Sequence, residues 1–68
     1  MRRRFEFTGG SSNKFWEVRV AGSHVVVKYG RIGTSGQSMT KSLPSDVAAA
    51  NHAAKLIREK TNKGYVEA

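Results

Sequence analysis

The sequence predicts an α+β domain: a small, mainly antiparallel four- to five-stranded sheet with one helix packed on a face. Three observations predict it. Two stretches of alternating apolar and polar residues flank Gly22-Ser23, the pattern of a hairpin. An alanine-rich stretch of helical periodicity follows a capping serine, Ser45, and stops before Gly64. The 68 residues suffice for one thin core, so a single unit over residues 1–68 is expected.

Residues 2–8 alternate weakly, with Phe5 and Phe7 on one face and Arg4 and Glu6 on the other, and read as a first strand. Gly9-Gly10-Ser11-Ser12-Asn13 reads as a flexible connection. Lys14 to Ala21 alternates more strongly, with Trp16, Val18 and Val20 opposed to Phe15, Glu17 and Arg19. Gly22-Ser23 is a two-residue loop beginning with glycine, which signals a type II′ hairpin into His24-Val25-Val26-Val27-Lys28-Tyr29. That loop sets a register. Val20 faces Val25, Val18 faces Val27 and Trp16 faces Tyr29, while Glu17 faces Lys28 as an opposite-charge pair. Continued outward, the register places Lys14 opposite Arg31 and Asn13 opposite Ile32. Two cations directly across from each other repel unless an anion sits between them or their side chains diverge.

The valine-rich strand gives way at Gly30-Arg31-Ile32-Gly33-Thr34-Ser35-Gly36 to glycine, hydroxyls and one arginine. Such a corner lets a ligand approach the backbone closely. Gln37 to Leu43 reads as a fourth strand, and Pro44-Ser45-Asp46 as a helix start, with Ser45 as N-cap and Asp46 at the positive end of the dipole. From Val47 to Lys60 the expected buried stripe is Val47, Ala50, Ala54 and Ile57, with Ala53 and Leu56 beside it. Lys60 and Lys63 suit the helix end, Gly64 terminates it, and residues 65–68 form a brief extended segment.

Twelve Lys and Arg against five Asp and Glu give a net charge of +7. The counterpart of such a charge is a polyanion. There is no cysteine, which removes disulfides and thiolate metal sites. Met1-Arg2-Arg3-Arg4 is followed by Phe5-Glu6-Phe7-Thr8-Gly9-Gly10 where an apolar targeting core would begin, so no secretory or transmembrane segment is expected. A cytoplasmic setting is, or a nuclear one if the source has a nucleus. The N-terminal arginines read as solubilising charges on an edge strand. No Asp, Ser or second His accompanies His24 or His52 at a useful spacing. The spacing of Gly30, Gly33 and Gly36 matches neither a dinucleotide fingerprint nor a Walker loop. The expectation is a protein without enzymatic activity, cofactor or metal.

Asn13-Lys14-Phe15-Trp16, Tyr29-Gly30-Arg31-Ile32-Gly33-Thr34 with Gly36-Gln37, Lys41, Lys55-Leu56-Ile57 with Glu59-Lys60, and Lys63-Gly64-Tyr65 together resemble the WGR domain family, especially its small stand-alone bacterial members. Tyr29 stands where the signature tryptophan would be. In poly(ADP-ribose) polymerases this domain helps recognise damaged DNA ends, including the 5′ phosphate. The resemblance therefore implies roles for Asn13, Tyr29 and Arg31 at a DNA end or nick.

Chemistry at these positions suits that role. Arg31 offers a planar fork of donors, Asn13 an amide, and the backbone around Gly33-Thr34-Ser35-Gly36 could form an anion-binding concavity. Lys14, Lys28 and Lys41 add phosphate attraction, and Gly30, Gly33 and Gln37 complete the corner. Tyr29 has two readings, closing the core at its edge or lying against a nucleotide. The leading expectation is a monomeric module that binds DNA or another nucleic acid. The alternative is an adaptor that docks an acidic protein or a neighbouring catalytic domain.

Overall fold

In the computed structural model, which describes residues 1–68, the chain forms five strands and one helix: β1 (Arg2–Gly9), β2 (Ser12–Ala21), β3 (His24–Arg31), β4 (Gln37–Ser42), α1 (Asp46–Asn62) and β5 (Val66–Glu67). The strands make one sheet in the order β4-β3-β2-β1-β5, and every pairing is antiparallel. The helix lies across one face. No helix is long and apolar enough to cross a membrane.

The β2–β3 register is the expected one, with Trp16 opposite Tyr29, Val18 opposite Val27 and Val20 opposite Val25. Its cause is the turn: Gly22 has φ 60° and Ser23 does not take a positive φ, the combination a type II′ loop needs. The same device closes β1 onto β2. Gly10 has φ 58° and Gly9 pairs with Ser12, so residues 9–13 are a tight hairpin and not the flexible connection expected from their composition.

Phe5, Trp16, Val18, Val25, Ala49 and Ala53 form the core between sheet and helix. Phe5 and Trp16 meet with ring centroids 5.8 Å apart. The helix buries Ala49 and Ala53, one turn apart, and packs Leu56 and Ile57 below them. The expected stripe is thus rotated: Val47 is 70% exposed, and Ala50 and Ala54 face solvent. Small residues sit where the helix approaches the sheet most closely, and the larger side chains flank that contact.

Helix ends follow the sequence signals. Ser45 Oγ accepts from the Ala48 amide at 3.1 Å. At the other end the Gly64 amide donates to the Thr61 carbonyl and the Tyr65 amide to that of Lys60, each at 3.1 Å, with Gly64 at φ 104°. These paired bonds are a Schellman motif. It reverses the chain so that Val66 and Glu67 pair with Glu6 and Phe5. Hence β1 lies between β2 and β5, although β5 pairs only with Phe5 and Glu6, and the arginines of β1 are engaged in ion pairs. Arg2 and Arg4 bind Glu17, Arg4 also reaches Glu6, and Arg3 binds Glu67. Glu17 therefore does not pair with Lys28, its cross-strand neighbour, because both of its oxygens are taken from the β1 side.

Candidate nucleic-acid interface

Alternation along the strands sorts the candidate residues onto two faces. Lys14, Tyr29, Arg31, Gln37 and Lys41 project toward the helix side, whereas Asn13, Lys28 and Gly30 belong to the opposite parity. The helix covers β2 and the first half of β3 but leaves the far ends of β3 and β4 open. A groove of about 650 Å3 results between the helix flank and the β3–β4 edge.

Five cations line the groove: Lys14, Arg31 and Lys41 from the sheet, Lys60 and Lys63 from the helix end. Glu59 is its one carboxylate, and none of the five cations takes part in an ion pair. Tyr29, 37% exposed, stands in the wall and is absent from the core cluster. Its hydroxyl donates to Gln37 Oε1 at 3.3 Å and contacts Met39 Sδ at 3.8 Å. The register aims Tyr29 at the apolar face, at the part the helix does not reach, so it borders the core and is open to the groove at once.

Lys14 and Arg31 pair directly across the sheet, as expected. The Lys14 ammonium lies over β1, 5.8 Å from the centre of the Phe7 ring. The sequence suits Lys60 to the negative end of the helix dipole. In the structure its ammonium sits 5.7 Å from the Trp16 ring centre and 5.4 Å from that of Tyr65, on the groove floor. Burial, with the neighbouring charge of Lys63, pushes it below the usual lysine value; Glu59 opposes this and Lys14 adds to it. A partly desolvated ammonium gains most from an incoming anion. Lys60 falls seven residues after Ala53, on the face of the helix that the structure buries.

The glycine corner serves the other face. Gly36, at φ 69°, lies so close over the sheet that a Cβ there would fall on the Tyr29 carbonyl oxygen and 2.7 Å from Phe15 Cζ. Gly30 lies under it, where a Cβ would meet the Gly36 Cα at 2.8 Å. The loop thus folds down onto Phe15, which is 2% exposed despite facing away from the helix. Arg4 covers the same ring, its guanidinium 4.5 Å from the centroid. The expected anion concavity is reduced accordingly, because the Thr34 amide and hydroxyl are both spent on the Arg31 carbonyl, at 3.1 and 2.7 Å. Gly33 and Asn13 stay exposed outside the groove, and the Asn13 carbonyl accepts from the Ile32 amide at 3.0 Å. Lys28 is separated from the groove by the thickness of the sheet. No three His, Cys, Asp or Glu side chains cluster as a metal site would need.

A small antiparallel sheet with one helix and an open, cation-lined groove is the framework of a binding module. The chain belongs to the WGR domain family, which matches residues 1–68. It is 37% identical over 67 residues to the uncharacterized protein YfeS of Escherichia coli, covering 98% of this chain and 28% of that protein. It is 43% identical over 65 residues to the Escherichia coli protein YehF, covering 96% of this chain and 24% of the relative. A crystal structure of a Bacteroides fragilis protein superposes with a TM-score of 0.98 at 48% identity, over 100% of this chain and 19% of the other. The chain therefore spans about a quarter of the curated relatives it matches. Membership points to a non-catalytic module that binds nucleic acid or acts as an adaptor.

Proposed function

We propose that the chain binds DNA through this groove, seating a 5′-phosphorylated end or nick against Arg31. One observation carries the reading: five cations converge on one groove beside an exposed tyrosine, with no ion pair among them. Arg31 supplies a bidentate fork for the terminal phosphate, Lys14 and Lys60 flank it, and Lys41 and Lys63 track the backbone. Asn13 has its side chain on the other face and stays outside the groove, and its carbonyl holds the Ile32 amide beside Arg31. Tyr29 packs against the terminal sugar or base, a contact that tolerates any sequence.

Binding of intact, nicked and dephosphorylated duplexes, followed across a salt series, tests it. Neutralising four to five phosphates gives a log–log salt slope of roughly −3 to −5. Arg31→Ala should lose most of the preference for the phosphorylated nick, about tenfold for one charge-assisted contact, while the fold stays intact. Equal binding to all three duplexes sinks the end-recognition reading. An adaptor role draws its support from Met39, 63% exposed in the groove wall beside Tyr29. A defined acidic protein that competes with the duplex and shows no steep salt slope would favour it.

A further inference from the structure

We propose that the open face of the sheet carries a second phosphate-binding surface, centred on Arg19 and Lys28, that holds another stretch of nucleic-acid backbone. It is built independently of the groove and stands or falls apart from it.

The register brings the surface together. Arg2 lies directly opposite Arg19 on β1, and Ser38 directly opposite Lys28 on β4. Arg19 and Lys28 are diagonal neighbours across β2 and β3, because Glu17 faces Lys28 and Arg19 faces Val26. These residues and Glu17 line a shallow cleft of about 280 Å3 with Val26 as its apolar floor. Neither Arg19 nor Lys28 has a carboxylate within ion-pair distance.

The reason is Glu17. Arg2 Nε and Nη2 donate to its Oε1 at 3.1 and 2.9 Å, and Arg4 Nη1 donates to its Oε2 at 2.9 Å. The carboxylate beside Lys28 is therefore spoken for, and the same bonds fix Arg2 next to Arg19. Glu17 answers the charge of Arg2 and Arg4, which leaves Arg19 and Lys28 as the unpaired cations beside it, and one free guanidinium plane, an ammonium and the Ser38 hydroxyl match the oxygens of a phosphodiester.

The occupant follows from what the face offers. Phe15, its aromatic, is sealed beneath Arg4 and Gly36, so no ring is presented for stacking on a base. Val26 is half-buried, which leaves neither a membrane anchor nor the aromatic anchor of a protein interface. Charge and hydroxyl contacts without a stacking platform suit the sugar-phosphate backbone and carry no sequence reading.

Amide chemical-shift mapping with a short 5′-phosphorylated duplex at low salt tests the surface, with an Arg19→Ala/Lys28→Ala double variant and a separate Lys14→Ala/Arg31→Ala variant. The expected result is that Arg19, Val26, Lys28 and Ser38 shift along with the groove residues. The first double variant abolishes those shifts, keeps the groove's, and makes the log–log salt slope shallower by about 2. Far-face amides that stay still while the groove responds, or an unchanged slope, overturn the second surface. So does a response to polyglutamate or phosphatidylserine vesicles without one to the duplex. If Lys14→Ala/Arg31→Ala leaves all binding intact while the far-face variant removes it, the groove reading fails and this one survives. A matching circular dichroism melt confirms that both variants fold.

Discussion

On β1, β2 and β5 every arginine at the chain's start finds a glutamate: Arg2 and Arg4 on Glu17, Arg4 on Glu6, Arg3 on Glu67. Between Val18 and Ser45, a stretch that spans β3 and β4, there is no acidic residue at all, and Lys28, Arg31 and Lys41 are left without partners. The arginines of β1 are held in ion pairs, whereas the cations of β3 and β4, the other half of the sheet, have none. The edges differ likewise, since the two-residue β5 pairs with Phe5 and Glu6 of β1 whereas β4 has a free side along its whole length. The distribution of the five acidic residues, more than that of the twelve basic ones, thus decides where unpaired positive charge is left.

Phe15 sits at the seam between these halves, under Arg4 from one and the glycine loop from the other. Phe15→Ala should have the largest effect, a loss of about 3–5 kcal/mol in urea unfolding, enough to unfold a chain this small. A cost under about 1 kcal/mol would show that the loop does not depend on the ring. Gly36→Ala comes next, at about 2–3 kcal/mol, from a left-handed backbone and a Cβ driven into Tyr29 and Phe15. Gly33→Ala is its control: φ is 95° but nothing lies within 4 Å, so about 1 kcal/mol is expected.

Glu17→Gln probes the ion-paired half. Burial raises the Glu17 carboxyl, but hydrogen bonds and charge from Arg2 and then Arg4 outweigh it and hold the group below its usual value. A lowered folded value means that the contribution is complete above the range where a glutamate titrates in the unfolded chain. It is lost as pH falls through the lower folded value. The variant should cost about 1 kcal/mol at neutral pH, discounted for the exposure of Arg2, and should flatten the acid limb of a stability–pH curve. An acid limb identical to that of the parent protein would show that other carboxylates dominate it. The smallest effect belongs to Val47→Ala, within about 0.5 kcal/mol, because the side chain faces solvent. A loss above 2 kcal/mol would mean that the helix is rotated from its described position.

Much of this was legible in residue order. Gly22-Ser23 fixed a register that held from Ala21 to Lys14, and Ser45 and Gly64 marked both helix ends. The hairpin at Gly10-Ser11 carried the same signal, hidden by a neighbouring glycine and serine that blurred the loop's limits. The helix face was misjudged because five alanines between positions 48 and 54 make several stripes equivalent by hydropathy, and only the sheet below selects Ala49 and Ala53. At the site, Lys14, Tyr29 and Arg31 could be grouped from the β2–β3 register, whereas Lys41 enters only through the β3–β4 pairing that the structure supplies. Lys60 and Lys63 could not, since joining a helix end to a strand end depends on the angle at which the helix crosses. Lys28 was assigned by charge, and parity places it on the other face.

The protein has one tryptophan, and its indole lies in the core with a face turned to the groove under the Lys60 ammonium. That arrangement makes the groove optically self-reporting. An anion that draws the ammonium away from the ring changes the field across the indole and with it the emission, so occupancy can be followed in the unlabelled protein. An anion on the open face, with the sheet between it and Trp16, leaves that signal unchanged.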